Sequence, residues 1–314
     1  MSRDDEPVTR RDWARAMRTE LREVPPGWQR WRFALGCLTA IVTPRSTAHA
    51  LTNSVLSAGA LTGAVVLTAP VPYPPLRAAT LRLVATVVAL GWLGRFRGPL
   101  GPVRASVAAR LTRAGLCLMV GVMTLRVVLF LRAPTGNPVE RSSVGAPMLT
   151  LVLATYLTGF LAVTARRGAA TTRALGAGVA AGLAAALLWL AIVLILPPVP
   201  ESADLALALI AITAGVAAYA TAGTTRRAEP AHIAALLAGA VAALSIVMLV
   251  AALSAVAPPS MIPHLAEAAL TPSARLAQSR VELEDPYVAV LFVGGLLAAA
   301  LALTSRRARG ATRA

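Results

Sequence analysis

Residues 174–196, ALGAGVAAGLAAALLWLAIVLIL, run without a single charge, with Arg166, Arg167 and Arg173 before them and Pro197 and Pro198 after. As a helix rising ~1.5 Å per residue the run measures roughly 35 Å, slightly more than the ~30 Å of hydrocarbon in a bilayer. It reads as a membrane span. The rest of the chain repeats its pattern of apolar run, arginine-rich entrance and turn-rich exit.

Composition agrees. The 314 residues are 57% hydrophobic and 14% charged, with a mean hydropathy of +0.68. Several uncharged runs exceed what a soluble core helix needs, so the chain reads as a multi-pass membrane protein. Eight spans are expected, at about 47–69, 76–94, 114–132, 147–165, 174–196, 203–223, 231–256 and 286–304. They divide the chain into a juxtamembrane segment (1–45), an all-α polytopic bundle (46–304) and a basic tail (305–314). Arg82 and Arg126 interrupt spans two and three. Without those two spans, however, the arginine-rich stretch from Arg95 to Arg113 would fall on the wrong side of the membrane.

All 30 basic residues are arginine. The absence of lysine removes a phosphate-loop lysine, a Schiff-base lysine and a lysine base, so ATP hydrolysis would have to come from another polypeptide. The net charge of +16 would point to nucleic acid in a soluble protein, but its distribution argues otherwise. With the N-terminus inside, 23 arginines fall on cytoplasmic segments and seven on the outer side, while the 14 carboxylates divide evenly. That is the positive-inside rule, and it predicts an inner (plasma) membrane protein with both termini cytoplasmic and no nucleic-acid partner. Cys37 and Cys117 fall toward the reducing side, so no disulfide framework is expected. The first apolar run begins too late, behind too many charges, for a cleavable signal peptide.

Ahead of the first span, Thr9 and Asp12 have capping-box spacing, and Trp13, Met17, Leu21 and Val24 then recur along one helical face opposite Arg11, Arg15, Arg18 and Arg22. Pro25-Pro26-Gly27 ends this amphipathic helix. A second follows from Trp28 to Val42, with Trp28, Trp31, Leu35 and Leu38 on one side. Such helices lie at the headgroup level, and the stripe of Trp13, Met17 and Leu21 is the candidate docking face for a soluble partner. The last outer loop, about 258–285, offers further interfacial segments in HLAEAAL and ARLAQSRVELEDPY.

Ionisable groups inside spans are the usual pointers to function, because they are costly in lipid. No carboxylate lies deep in a span, which argues against proton-coupled transport. Arg82 and Arg126 remain, each roughly 10 Å below the outer end of its helix, within snorkelling reach of the headgroups. They are the candidate lining of an outward-facing polar cleft able to hold an anionic head group, with Glu140, Glu201 and Asp204 as partners by depth. Polar neighbours for such a crevice would be Thr155, Tyr156 and Thr158. His264 and Glu267 have HxxE spacing without a third ligand, and no metal or cofactor is expected. No GxSxG elbow, HExxH pair or catalytic carboxylate pair is present, and no enzyme activity is predicted. Gly59 with Gly63, and Gly178 with Gly182, offer small surfaces for close helix packing.

Two stretches, DWARAMRTELREVPPGWQRWRFALGC (Asp12 to Cys37) and LTPSARLAQSRVELEDPYV (Leu270 to Val288), resemble the N-terminal signature and the final outer loop of a group of actinobacterial multi-pass proteins, some of them termed permease-like. The resemblance implies an integral membrane protein encoded near transporter or regulator genes, and brings no catalytic residues. The expected function is a transport-related, permease-like component that relies on a separate ATPase subunit. The alternative is a sensor that binds a soluble regulator through its N-terminal helix.

Overall fold

In the computed structural model, residues 19–20, 27–29, 45–94, 100–104, 106–132, 138–166, 170–195, 202–225, 228–259, 262 and 271–307 are described. The chain divides into two compact units, Met1–Thr62 and Gly63–Ala314. In the first, Thr19 and Glu20 are helical and Gly27 carries a φ of 126°, a left-handed value that glycine alone adopts freely. This is the break expected after Pro25-Pro26. The stripe of Trp13, Met17 and Leu21 lies outside the described residues.

Nine helices follow among the described residues: α1 (Arg45–Thr68), α2 (Pro74–Leu93), α3 (Val107–Arg132), α4 (Pro138–Thr164), α5 (Thr172–Ile195), α6 (Ser202–Thr225), α7 (Ala228–Val256), α8 (Pro272–Glu282) and α9 (Asp285–Arg307). There is no strand among them, only one isolated bridge between Val103 and Ala165. The helices α2 to α7, and the segment Pro272–Ser305 that contains α9, are seven in all and long and apolar enough to cross a membrane. The first of the eight expected spans falls on α1, but its apolar portion, Ser54–Thr68, is shorter than the other seven and not long enough to count with them. The arginines of spans two and three do not interrupt them, because α2 and α3 are continuous helices. The chain is an integral membrane helix bundle.

Its outer surface shows why. On α3, Leu116, Val120, Met123, Val127 and Leu131 are buried, while Leu111, Leu118, Val122, Leu125 and Leu129 project outward. A helix of a soluble bundle would be polar on that second face. Here both faces are apolar, one toward neighbouring helices and one toward lipid. Hydroxyls within the helices bond back to their own backbone, as when Thr80 and Thr124 donate to the carbonyls of Leu76 and Val120 at 2.8 and 2.7 Å. In hydrocarbon there is no water to take that role.

The bundle of the second unit is built around α7. Every residue from Leu237 to Val247 is buried, three turns covered on all sides, with α5, α6 and α9 packed against it. Small residues permit the close approach. A methyl group on Gly182 would lie 2.7 Å from the Ala238 carbonyl oxygen, and one on Gly178 would lie 2.9 Å from that of Ala234. This glycine pair is the α5–α7 contact, whereas nothing lies within 4 Å of a methyl placed on Gly63. On the far side α9 packs against α4, which in turn carries α2 and α3. Gly159 of α4 faces the backbone of Ala298 of α9.

Hydrogen bonds tie helix ends and connections together at two ends of the bundle. At one, Arg166 N–H donates to the Pro102 carbonyl at 2.7 Å, joining the α2–α3 and α4–α5 connections, and Arg113 donates to the carbonyls of Gly94, Leu100 and Gly101 at 2.8–3.0 Å. These are orphan carbonyls at and beyond the end of α2, and a single guanidinium satisfies them. At the other end, Trp189 of α5, Ser202 of α6 and Tyr287 of α9 interlock. Trp189 Nε1 donates to the Ser202 carbonyl at 3.2 Å, the Ser202 and Tyr287 hydroxyls share a 2.5 Å hydrogen bond, and the two rings meet edge to face at 5.6 Å. Tyr287 is thus a buried strut rather than an exposed interfacial aromatic.

Candidate functional site

At this second end, α3, the start of α4, the last turns of α7 and the start of α9 enclose a cleft of about 550 Å³. Its walls are apolar, with Met123, Val127, Met148, Leu149, Val247 and Phe292 among them, and its charged groups are Arg126, Glu140, Arg141, Glu284 and Asp285. A concave, mostly apolar space with a few polar groups is the usual form of a small-molecule site, and this volume lies within the ~300–1,000 Å³ such sites occupy.

Arg126 projects from α3 two turns before the helix ends. Its Nη2 donates to Glu284 Oε1 at 2.5 Å and to Ser254 Oγ at 3.3 Å. Ser254, near the end of α7, also bonds Glu284 Oε1 through its hydroxyl. Three helix ends thereby meet on one carboxylate. Arg126 and Glu284 are 33% and 23% exposed, so the pair is neither fully screened by solvent nor fully desolvated. Arg280 of α8 reinforces the same corner by donating to the carbonyls of Ser254 and Ala257, the latter at 2.8 Å. These are C-terminal carbonyls of α7 that no helical N–H can reach.

On the opposite wall the entry to α4 is widened into a π-turn, Arg141–Gly145. Such turns carry one extra residue and leave carbonyls to find other partners. Here the Ser142 and Ser143 hydroxyls donate to the Val139 carbonyl at 2.9 and 2.8 Å. Arg141 lies over the Phe130 ring, 4.9 Å from its centre, with Nη1 donating to the Phe130 carbonyl at 3.4 Å. The turn places Glu140, Arg141, Val144 and Gly145 on the cleft together.

Of the residues proposed from the sequence, Arg126 lines the cleft. Arg82 stands on an exposed face of α2, away from the lining, so the structure does not bring the two arginines together. Glu140 is on the lining but does not pair with Arg126, Asp204 is exposed at the start of α6, and Glu201 lies outside the described residues. Tyr156 is fully buried, its hydroxyl donating to the Leu291 carbonyl at 3.2 Å and pressed against Gly294. Thr155 bonds back to Val152 at 2.7 Å. Neither opens onto the cleft. The residues that sequence reasoning missed are Glu284, Ser254, Arg280 and Arg141. Glu284 belongs to the ARLAQSRVELEDPY segment of the last outer loop, but position in a loop does not say which helices are neighbours. No group of three metal-ligating side chains occurs among the described residues.

No family model, curated protein or solved structure matches the chain.

Proposed function

We propose that this integral membrane protein is a transport-related, permease-like component that receives an amphipathic ligand in the cleft between α3, α4, α7 and α9, and that it works without an ATPase of its own. The cleft is the observation that carries this reading. It joins charged groups to an apolar interior at one end of a bundle whose outer surface is made for lipid, a combination suited to an amphipathic ligand. The absence of lysine supports dependence on a separate subunit for any ATP-driven step. The arginine distribution supports a plasma-membrane setting with the cleft on the outer side and both termini in the cytoplasm.

One observation favours a second reading. Below the cleft the interior is closed, with Tyr156 and Phe160 sealed among α4 and α9, as suits a receptor that senses a ligand at one surface and signals to a soluble partner through the 1–45 segment. Purification from native membrane, with mass spectrometry of bound proteins and lipids, separates the two. An ATPase subunit supports transport, and a soluble regulator without one rejects it in favour of sensing.

A further inference from the structure

Arg126 and Arg141 suggest at first an anion site, but the lining of the cleft as a whole points the other way. Two arginines stand against three carboxylates, Glu140, Glu284 and Asp285, leaving one negative charge. The positive charge of Arg126 is matched by Glu284 at 2.5 Å. Arg141 is turned onto the Phe130 ring and carbonyl, where an incoming anion would have to compete with contacts already made. Helix dipoles do not reverse the balance. The N-termini of α4 and α9 and the C-termini of α3 and α7 all lie at this end, two positive against two negative, and both pairs are already complemented, the positive by Glu140 and Asp285 in their first turns and the negative by Arg132 in the last turn of α3 and Arg280 on the carbonyls at the end of α7. Arg126 Nε is buried without a hydrogen-bond partner, which leaves a donor for a neutral acceptor rather than an unmatched charge.

The walls add a second preference. Met123 and Met148 are polarisable and adaptable, and Phe292 adds aromatic surface. Aromatic faces attract cations, and thioethers pack well against flat hydrophobic ligands. From the rim charge and these walls together, we infer that the cleft binds a hydrophobic cation, a bulky apolar body carrying one permanent positive charge. The inference rests on the reading of the cleft as a ligand site and adds its charge selectivity.

Two ions of nearly the same size and shape but opposite charge test it. Tetraphenylphosphonium and tetraphenylborate are titrated against the full-length protein in nanodiscs of neutral lipid, with empty nanodiscs as the control for partitioning. Tetraphenylphosphonium is expected to bind saturably, at least tenfold tighter than tetraphenylborate. Glu140→Gln with Asp285→Asn should reduce that preference by at least threefold. Val144→Trp and Met148→Trp fill the cleft from residues that are 52% and 45% exposed, so they leave the core intact, and each should abolish saturable binding. Tetraphenylborate binding as tightly as the cation, and blocked by the same tryptophans, overturns the charge assignment while leaving the cleft a ligand site. If neither ion binds above the empty-disc background, both the charge assignment and the ligand-site reading fall.

Discussion

Arg126 and Glu284, 158 residues apart in the chain, meet at 2.5 Å where α3, α7 and α9 converge. The contact explains how an arginine is kept inside a span. A guanidinium two turns below a helix end is costly in lipid unless it reaches water or a carboxylate, and the start of α9 delivers one. Ser254, itself buried, accepts from the same guanidinium, so the charge is shared between three helices.

A double-mutant cycle measures this relationship. Arg126→Gln and Glu284→Gln should each destabilise the protein, because each leaves a partly buried charge alone, and the double variant should be more stable than the sum of the singles implies. At 33% and 23% exposure the coupling should be on the order of 1–2 kcal/mol, between the values for exposed and buried pairs. Thermal unfolding in detergent provides the measurement, and additive effects would show that the two side chains do not interact.

The glycines of α5 make a second prediction with an internal control. Gly182→Val places new atoms against Ala238 and Val241, at 2.7 Å before any relaxation, and should cost about 1–3 kcal/mol through overpacking. Gly176 and Gly121 have open space around them, so Gly176→Ala and Gly121→Ala should be neutral or stabilising by up to about 1 kcal/mol. Equal effects at Gly182 and Gly176 would contradict the α5–α7 contact.

Arg280 fastens α8 to the end of α7 through the Ser254 and Ala257 carbonyls. In Arg280→Ala, hydrogen exchange should quicken across 272–282 while the centre of α7, buried on every side, keeps its protection. Unchanged exchange in α8 would mean that other contacts hold it.

Topology is open to a direct check. In a chain without its native cysteines, Ser273→Cys on α8 should react with a membrane-impermeant thiol reagent in intact cells. Ser106→Cys, at the start of α3, should react only after permeabilisation. Both positions are exposed, so the labelling reports sidedness, and the reverse pattern would invert the bundle and place the cleft in the cytoplasm.

What the sequence determined alone was the long helices and most of their ends, although α3 begins at Val107 rather than near 114. In hydrocarbon each backbone must satisfy its own hydrogen bonds, so a span is decided locally by an apolar run of sufficient length with charged or proline-rich ends. That logic located α2 to α7 and α9 and, from LAQSRVE and its surroundings, the short helix α8. Neighbours were not legible. Lipid is as apolar as a protein interior, so no polar stripe marks the outward face, and Leu116 in the core and Leu118 facing lipid are the same residue type two positions apart. Only the tertiary packing decided that α7 is central, that Gly178 and Gly182 are used and Gly63 is not, and that Arg126 finds Glu284 rather than Glu140. It also decided that Arg82 stands apart from the cleft, because which helices touch depends on the close fit of small residues and on a few polar bonds, neither of which leaves a period in the sequence.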